Sequence, residues 1–195
     1  MADQLASPTD LASFLQQDLD ASTANLLINC ATAVVQEAAG QRIVQVVNDP
    51  LTIMGTTDSW LAIPQIPVTA VASVTLDGTT LTASAAGVDA DAYRRHGNRL
   101  WRTNGWQTYI GEPSTVVVTC THGYQTGDYR LQLATGHVLA LCAPFYDNPS
   151  GASSVKIDDY AATYSAMQAA MAADTHGRRA LRRAYGRRAA FARAS

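Results

Sequence analysis

The chain has 195 residues, 47% of them hydrophobic, which is enough for one domain with an adequate core. Its three cysteines are far apart in apolar segments, and no CxxC or HxxxH spacing occurs. This excludes a disulfide framework, indicates buried thiols in a reducing compartment, and gives no support to a metal site. The net charge is only −2, but residues 175–195 carry seven arginines and no acidic residue, whereas the rest carries 7 basic and 16 acidic residues. The asymmetry predicts an anionic partner for the basic end.

Two helices are predicted at the N-terminal end. Ser7-Pro8 opens a short helix that reaches about Leu15, because serine can cap a helix and proline suits its first turn. A longer helix is predicted from about Ala21 to Ala39, and Gly40 suits its C-terminal end. The first fifteen residues lack a charged segment followed by an apolar one, so no secretory signal is expected.

From about residue 41 to 124 the apolar period changes to two, which predicts a β-rich insertion. Asp77-Gly78 is the clearest hairpin turn, and the small polar segment Thr82–Ala92 is predicted to be a loop. Three consecutive valines place the last strand inside a sheet. The predicted strands are Arg42–Val47, Leu51–Thr56, Val71–Leu76, Thr79–Ala83, Tyr93–His96, Arg99–Arg102 and Thr115–Thr121.

A central helix is predicted over Tyr129–Tyr146, where apolar residues recur at three- and four-residue spacing. Leu133, Leu139 and Tyr146 widen the apolar arc, which predicts that the helix is covered on more than one side. Gly136 predicts another element packed close to the backbone. A membrane span is excluded because three polar residues interrupt the run, namely Arg130, Gln132 and His137.

Two segments follow the central helix. Asn148–Ser154 is predicted to be a loop, and Val155–Tyr164 alternates like an edge strand that needs a partner. Residues 175–195 are predicted to form a basic amphipathic helix, with Leu181, Tyr185 and Phe191 opposite most of its arginines. This helix could contact nucleic acid, enter an acidic groove of a partner protein, or be a disordered solubilising end. An acidic groove fits both sides of the pattern.

Catalytic and nucleotide-binding patterns are weak. Cys120 and His122 share one face of a strand, but no Asn or Asp orients the pair, so a core cysteine and a hydrogen-bonded histidine are favoured over a small cytosolic enzyme. No glycine-rich phosphate loop or dinucleotide fingerprint occurs, so neither catalysis nor a cofactor is expected. Aromatic residues interleave with arginines in 93–95 and 100–102 and could stack on bases, although a hairpin with one packed and one solvated face is favoured.

The order of several short features resembles the head-to-tail adaptor (connector) proteins of long-tailed bacteriophages. The resemblance covers about residues 8–165. Its features are the helix Thr9–Leu15, the small-residue helix that ends at Gly40, Pro67-Val68 before a Val-rich strand, the Asp-Gly turn, the passage Leu100…Trp106…Pro113, the strand ending Val-Thr-Cys-Thr-His-Gly-Tyr at 118–124, the central helix, Asn148-Pro149-Ser150-Gly151, and Ile157-Asp158-Asp159-Tyr160 with Thr163-Tyr164.

The resemblance implies a non-enzymatic structural protein of the virion neck, assembled in the host cytoplasm. Such adaptors form a ring, typically a dodecamer, below the capsid portal protein and above a stopper or tail-completion protein. The ring extends a channel through which genomic DNA passes without sequence-specific binding, and neither a cofactor nor a membrane is involved. The alternative is a nucleic-acid-binding module that uses the C-terminal arginine helix.

The expected fold is α+β: a small helical bundle around a long central helix, an inserted antiparallel β-hairpin region, and a C-terminal helical arm. The expected division is an adaptor domain, residues 1–174, and an Arg-rich arm, residues 175–195. The residues expected to bind the portal are Arg178, Arg179, Leu181, Arg182, Arg183, Tyr185 and Arg187. Those expected to contact another subunit or the next ring are Val155, Ile157, Asp159, Tyr160 and Tyr164.

Overall fold

A computed structural model of the chain describes residues 4–85, 89–109, 111–147 and 175–186. These residues form four α-helices and two four-stranded sheets, which confirms the α+β class. The structure divides into two compact units. We call residues 1–44 with 125–195 the helical unit, and residues 45–124 the β unit.

The first three helices of the helical unit begin and end close to the positions predicted for them, and the fourth begins at Thr175 as predicted. Ser7 and Asp10 form a reciprocal capping box at the first helix, and the Asp20 carboxylate caps the second. Gly40 ends that second helix with a positive φ of 71°, as predicted for a glycine at a helix C-terminus. The helices are α1 (Pro8–Leu15), α2 (Ala21–Ala39), α3 (Tyr129–Asp147) and α4 (Thr175–Tyr185).

The prediction of a bundle around one long central helix is not supported. Helices α2 and α3 have 19 residues each, and it is α2 that packs against all three other described helices. Small buried residues such as Ala24 and Ala31 allow this close packing on α2. The Thr135 hydroxyl on α3 donates a 2.6 Å hydrogen bond to the Leu5 carbonyl, which ties the N-terminal segment to α3.

The residues predicted to widen the apolar arc of α3 have different outcomes, because Leu139 is buried and Leu133 is exposed. Its buried residues form one stripe that includes Val138 and Cys142, while Tyr129 and Leu133 are exposed. Gly136 is exposed as well, and a Cβ atom built there would meet nothing within 4 Å. No element packs against this glycine among the described residues. None of the described helices is both long enough and apolar enough to cross a membrane.

The β unit contains both sheets. The first sheet has the order β1-β8-β3-β4 and is antiparallel throughout. The second has the order β2-β7-β6-β5, in which only β5 and β6 run parallel. The strands are β1 (Val46–Met54), β2 (Trp60–Ala62), β3 (Val68–Leu76), β4 (Thr79–Thr80), β5 (Thr82–Ala83), β6 (Ala92–His96), β7 (Arg99–Trp101) and β8 (Thr115–His122).

Three predictions for this unit have different outcomes. Strand β8 lies between β1 and β3, so its predicted interior position is confirmed. The Asp77-Gly78 turn is confirmed, with φ angles of 49° and 83°. The two strands predicted on either side of Pro50 are instead one strand, β1, because a proline is tolerated at a sheet edge. A bulge near Asn48, which has a φ of 53°, absorbs the irregularity.

Apolar side chains from both sheets form the core of the β unit around Trp106, which is fully buried. Its indole N–H donates a 3.1 Å hydrogen bond to the Ser59 carbonyl. Gly55 lets two backbone segments meet here, because a Cβ atom at this position would overlap the Trp106 carbonyl oxygen. Hydrogen bonds from Gly55 to Ser114 and from Trp106 to Thr56, each 2.7 Å, close the contact.

Candidate interaction surfaces

Helix α4 has one buried side and one charged side. Leu181 and Tyr185 are each only 1% exposed, whereas Arg179, Arg182 and Arg183 are exposed. The four-residue spacing between Leu181 and Tyr185 places them on one side of the helix, and the arginines occupy the remaining arc. The predicted amphipathic helix is therefore confirmed over Thr175–Tyr185.

Three polar contacts hold α4 in the helical unit. The buried Gln41 side chain donates a 2.6 Å hydrogen bond to the Tyr185 carbonyl, which is one of the acceptors that a helix C-terminus leaves open. The Tyr185 hydroxyl donates to the Arg130 carbonyl at the start of α3. Arg178 and Glu37 form a longer surface ion pair of 3.8 Å. These contacts fix α4 to the end of α2 and the start of α3.

Leu181 and Tyr185 are predicted to bind the portal, which stays a prediction, but they do not need a partner to be buried. Both side chains are already buried in this chain, because the helical unit offers them an apolar seat next to Gln41. What the described part of α4 presents to a partner is therefore a ridge of guanidinium groups. We call Arg178, Arg179, Arg182 and Arg183 the arginine ridge.

The other residues expected at interfaces lie outside the described part of the chain. They are Arg187 at the C-terminal end of the arm, and the predicted edge-strand residues Val155, Ile157, Asp159, Tyr160 and Tyr164. Their assignment stays a prediction.

The cysteine–histidine pair on β8 is buried. Cys120 and His122 are both 0% exposed, and His122 Nε2 lies 2.9 Å from Asp49 Oδ2. This carboxylate was not predictable from the sequence, because Asp49 is 73 residues away from His122 and the β1 bulge brings it to the end of β8. His122 Nδ1 is buried without a hydrogen-bond partner among the described residues, which favours the tautomer that donates from Nε2 to Asp49.

This arrangement suits a structural role better than nucleophilic catalysis. Burial raises the pKa of the Cys120 thiol, and the Asp49 carboxylate raises it further, while Arg95 acts in the opposite direction. A nucleophilic cysteine needs a thiolate that substrate can reach, and Cys120 offers neither property. The predicted free thiols are confirmed for all three cysteines, although Cys30 is only partly buried. Burial raises the pKa of the Cys142 thiol to about 12.

The second sheet has one packed and one solvated face, as predicted for its hairpin. Tyr93 and Leu100 are buried on the inner face. Strand pairing aligns the outer residues in two rows across β2, β7 and β6, so that all of them lie on one face. The rows are Trp60–Trp101–Arg94 and Ala62–Arg99–His96. We call these six residues the aromatic-basic face.

Comparison with known proteins gives only distant similarity. No protein-family model matches the sequence, and no curated protein matches it. A chain from the neck of an empty gene transfer agent (GTA) particle, computed with C6 symmetry, is similar over 84% of this chain and 88% of its own, with 14% identity and a TM-score of 0.48. A chain from the neck of a native GTA particle, computed with C12 symmetry, is similar over 84% and 92%, with 16% identity and a TM-score of 0.44.

Proposed function

We propose that this chain is a structural, non-enzymatic head-to-tail adaptor. It forms a ring below the portal of a phage-like particle, extends the DNA channel, and joins the head to stopper or tail proteins. The observation that carries the proposal is the arginine ridge, which is held on a folded helix by buried contacts. The ordered motifs at residues 8–165 give the class of protein, and the ridge gives it a portal-binding element.

The ridge is suited to bind an acidic protein surface. Arg178 and Arg182 are four residues apart, as are Arg179 and Arg183, so two rows of charge run along the exposed arc. Because Leu181 and Tyr185 are buried, α4 is already held in place before a partner binds, and little conformational entropy is lost on docking. Guanidinium groups bind carboxylates through paired hydrogen bonds, which adds orientation to charge attraction.

The acidic body is compatible with a DNA channel. Residues 1–174 carry a net charge of −9, and a wall of that sign does not grip the phosphates of passing DNA. DNA can therefore move through a ring of such subunits without binding to its wall. The arginine ridge concentrates the opposite charge at one place on each subunit, so that portal binding and DNA passage use different surfaces.

The test is binding of the full chain to purified portal protein. The double variant Arg182→Glu and Arg183→Glu reverses two charges of the ridge and should weaken binding at least about a hundredfold, because like charges then face the acidic groove. Arg130→Glu changes one exposed arginine of the same unit outside α4 and should bind like the wild type. Negative-stain images of the wild-type complex should show a ring on the portal. The absence of a ring, or unchanged binding by the double variant, would contradict the proposal.

A nucleic-acid-binding module is the second candidate, since exposed arginines on two successive helical turns also fit phosphates. The same variants distinguish the two functions. Duplex DNA binding that falls steeply with salt and disappears in the double variant, without any affinity for portal protein, would favour this candidate.

A further inference from the structure

The aromatic-basic face is an unusual surface for the solvated side of a small sheet. It contains two tryptophans, two arginines and one histidine, and it contains no carboxylate. Trp60 is 46% exposed, and its ring lies edge-on to the His96 ring with centroids 5.3 Å apart. Tryptophan and arginine are the residue types most enriched at the energetic centres of protein interfaces.

The backbone beneath this face is held firmly. Strand β7 is hydrogen-bonded to β2 on one side and to β6 on the other, so the side chains of the face project from a continuous sheet. Arg95, on the opposite side of β6, donates hydrogen bonds of 2.9 Å to the Thr69 carbonyl and 2.5 Å to the Val68 carbonyl. These bonds anchor the β6–β7 hairpin to β3. A surface held in this way loses little freedom when a partner binds.

The same chain carries a surface of complementary chemistry in its helical unit. Residues 1–41 contain five acidic residues and no lysine, arginine or histidine. Two large apolar side chains in this part are exposed, Phe14 at 53% and Leu26 at 50%. Asp18 and Asp20 lie between them in sequence and are exposed too. We call residues 14–26, from the end of α1 to the second turn of α2, the acidic corner.

We propose that the aromatic-basic face of one copy binds the acidic corner of a second copy. The proposal rests on the proposed function, because it supplies the contact between neighbouring subunits of the ring. Two different surfaces that complement each other make a heterologous contact, and repeating that contact forms a ring when the rotation between neighbouring copies divides a full turn. Apolar groups on both surfaces supply burial, while Arg94 and Asp18 supply opposite charges.

A single-stranded nucleic acid is the competing occupant, because bases stack on exposed tryptophans. Charge favours the second copy. Outside the basic arm the chain has a net charge of −9, which repels the phosphates of a nucleic acid. The acidic corner instead contains carboxylates that can pair with the arginines of the face, and it contains no basic residue.

The test uses charge reversal and rescue on the full chain. Self-association is measured by sedimentation velocity, with and without portal protein. Arg94→Glu should lower the association constant at least about tenfold, and Asp18→Arg should do the same. The double variant, which restores one opposite pair in swapped positions, should recover most of the loss. Trp60→Ala should weaken association without any change of charge.

Arg179→Glu is the matched control. It makes the same change of charge on the arginine ridge, so it should weaken portal binding and leave the association between copies that is measured without portal protein unchanged. Thermal melts verify folding, and Arg94→Gln replaces Arg94→Glu if the latter lowers the melting temperature.

Each remaining outcome decides something. Wild-type protein that forms no ring with or without portal overturns the proposed function and this contact with it. Normal rings from Arg94→Glu overturn only the contact. Loss in both single variants without rescue in the double variant overturns the acidic corner as the occupant. Quenching of tryptophan fluorescence by oligo(dT), lost in Arg94→Glu while rings persist, assigns the face to nucleic acid instead.

Discussion

The two units differ in the sequence distance over which their stabilising contacts form. In the β unit, two hairpins close within a few residues, as in the pairs Leu76 with Thr79 and His96 with Arg99. In the helical unit, the decisive contacts join remote segments: Gln41 meets the Tyr185 carbonyl across 144 positions, and Thr135 meets the Leu5 carbonyl across 130. Local chemistry therefore specifies the two hairpins of the β unit. The pairing of β1 and β3 with β8, like the packing of the helices, depends on segments that are remote in sequence.

Substitutions can be read in each unit separately. All three tryptophans, Trp60, Trp101 and Trp106, lie in the β unit, so tryptophan fluorescence reports unfolding of that unit. Far-ultraviolet circular dichroism at 222 nm reports mainly the helices. A substitution in one unit can therefore be compared with the unfolding signal of the other unit.

The largest effect is expected for Gly55→Ala in the β unit. The new methyl group would overlap the Trp106 carbonyl oxygen, and the two backbone segments would have to separate. We expect a loss of about 3 kcal/mol or more in the free energy of unfolding, at the upper end of the cost of overpacking. Urea unfolding followed by tryptophan fluorescence measures it. A loss below about 1 kcal/mol would mean that the contact at Gly55 does not hold this unit together.

The next effect is expected for Leu181→Ala, which empties a fully buried position on α4. The cost of such a truncation is about 2–5 kcal/mol, although release of α4 limits the measured loss to the free energy of its docking. Hydrogen exchange of residues 175–185 should accelerate while the tryptophan transition stays unchanged. Ala184→Ser is the control, because Ala184 is exposed on the same helix. Equal protection in Leu181→Ala and the control would contradict the buried seat of α4.

A pH-dependent effect is expected for Asp20→Asn at the N-terminus of α2. Hydrogen bonds from the Ser22 and Thr23 hydroxyls and from the Thr23 N–H lower the pKa of the Asp20 carboxyl from 3.8 to about 2. A lowered pKa in the folded state means that ionised Asp20 stabilises the fold above pH 3.8, and that this contribution is lost as the pH falls towards 2. The wild type should therefore melt above the variant at pH 6, and the difference should disappear near pH 2. Asp18→Asn removes one acidic charge outside the cap and serves as the charge-matched control.

A small gain is expected for Gly136→Ala on α3. Because nothing lies within 4 Å of the added methyl group, only the helix propensity changes, and alanine is favoured over glycine by about 0.5–1 kcal/mol. Thermal melts at 222 nm should rise slightly, with no shift in the tryptophan signal. A loss of stability would contradict the open surface at Gly136 and support the sequence-based prediction that another element packs close to it.

The outcomes at these residues show what the sequence could predict. The cap of the first helix and the Asp-Gly turn were predictable because each uses side chains within three residues of the backbone it organises, as with Ser7 and Asp77. Gly136 was misread because glycine is equally compatible with close packing and with an open surface. The Asp49–His122 pair and the seat of Tyr185 were not predictable, because each depends on residues that only the folded chain brings together.

The smallest effect on stability is expected for Arg178→Ala, which breaks the ion pair between α4 and α2. The atoms are 3.8 Å apart, the Glu37 side chain is 75% exposed and that of Arg178 is 35% exposed, so water screens most of the attraction. Surface pairs of this kind contribute about 0–1 kcal/mol, and the melting temperature should hardly change. Portal binding should nevertheless weaken, because the variant removes one charge from the arginine ridge. Glu37→Gln separates the two roles: it breaks the same pair, keeps the arginine, and should leave binding intact or slightly tighter. If Glu37→Gln weakened binding as much as Arg178→Ala, the ion pair itself, by holding α4 in place, would be the feature that the portal requires.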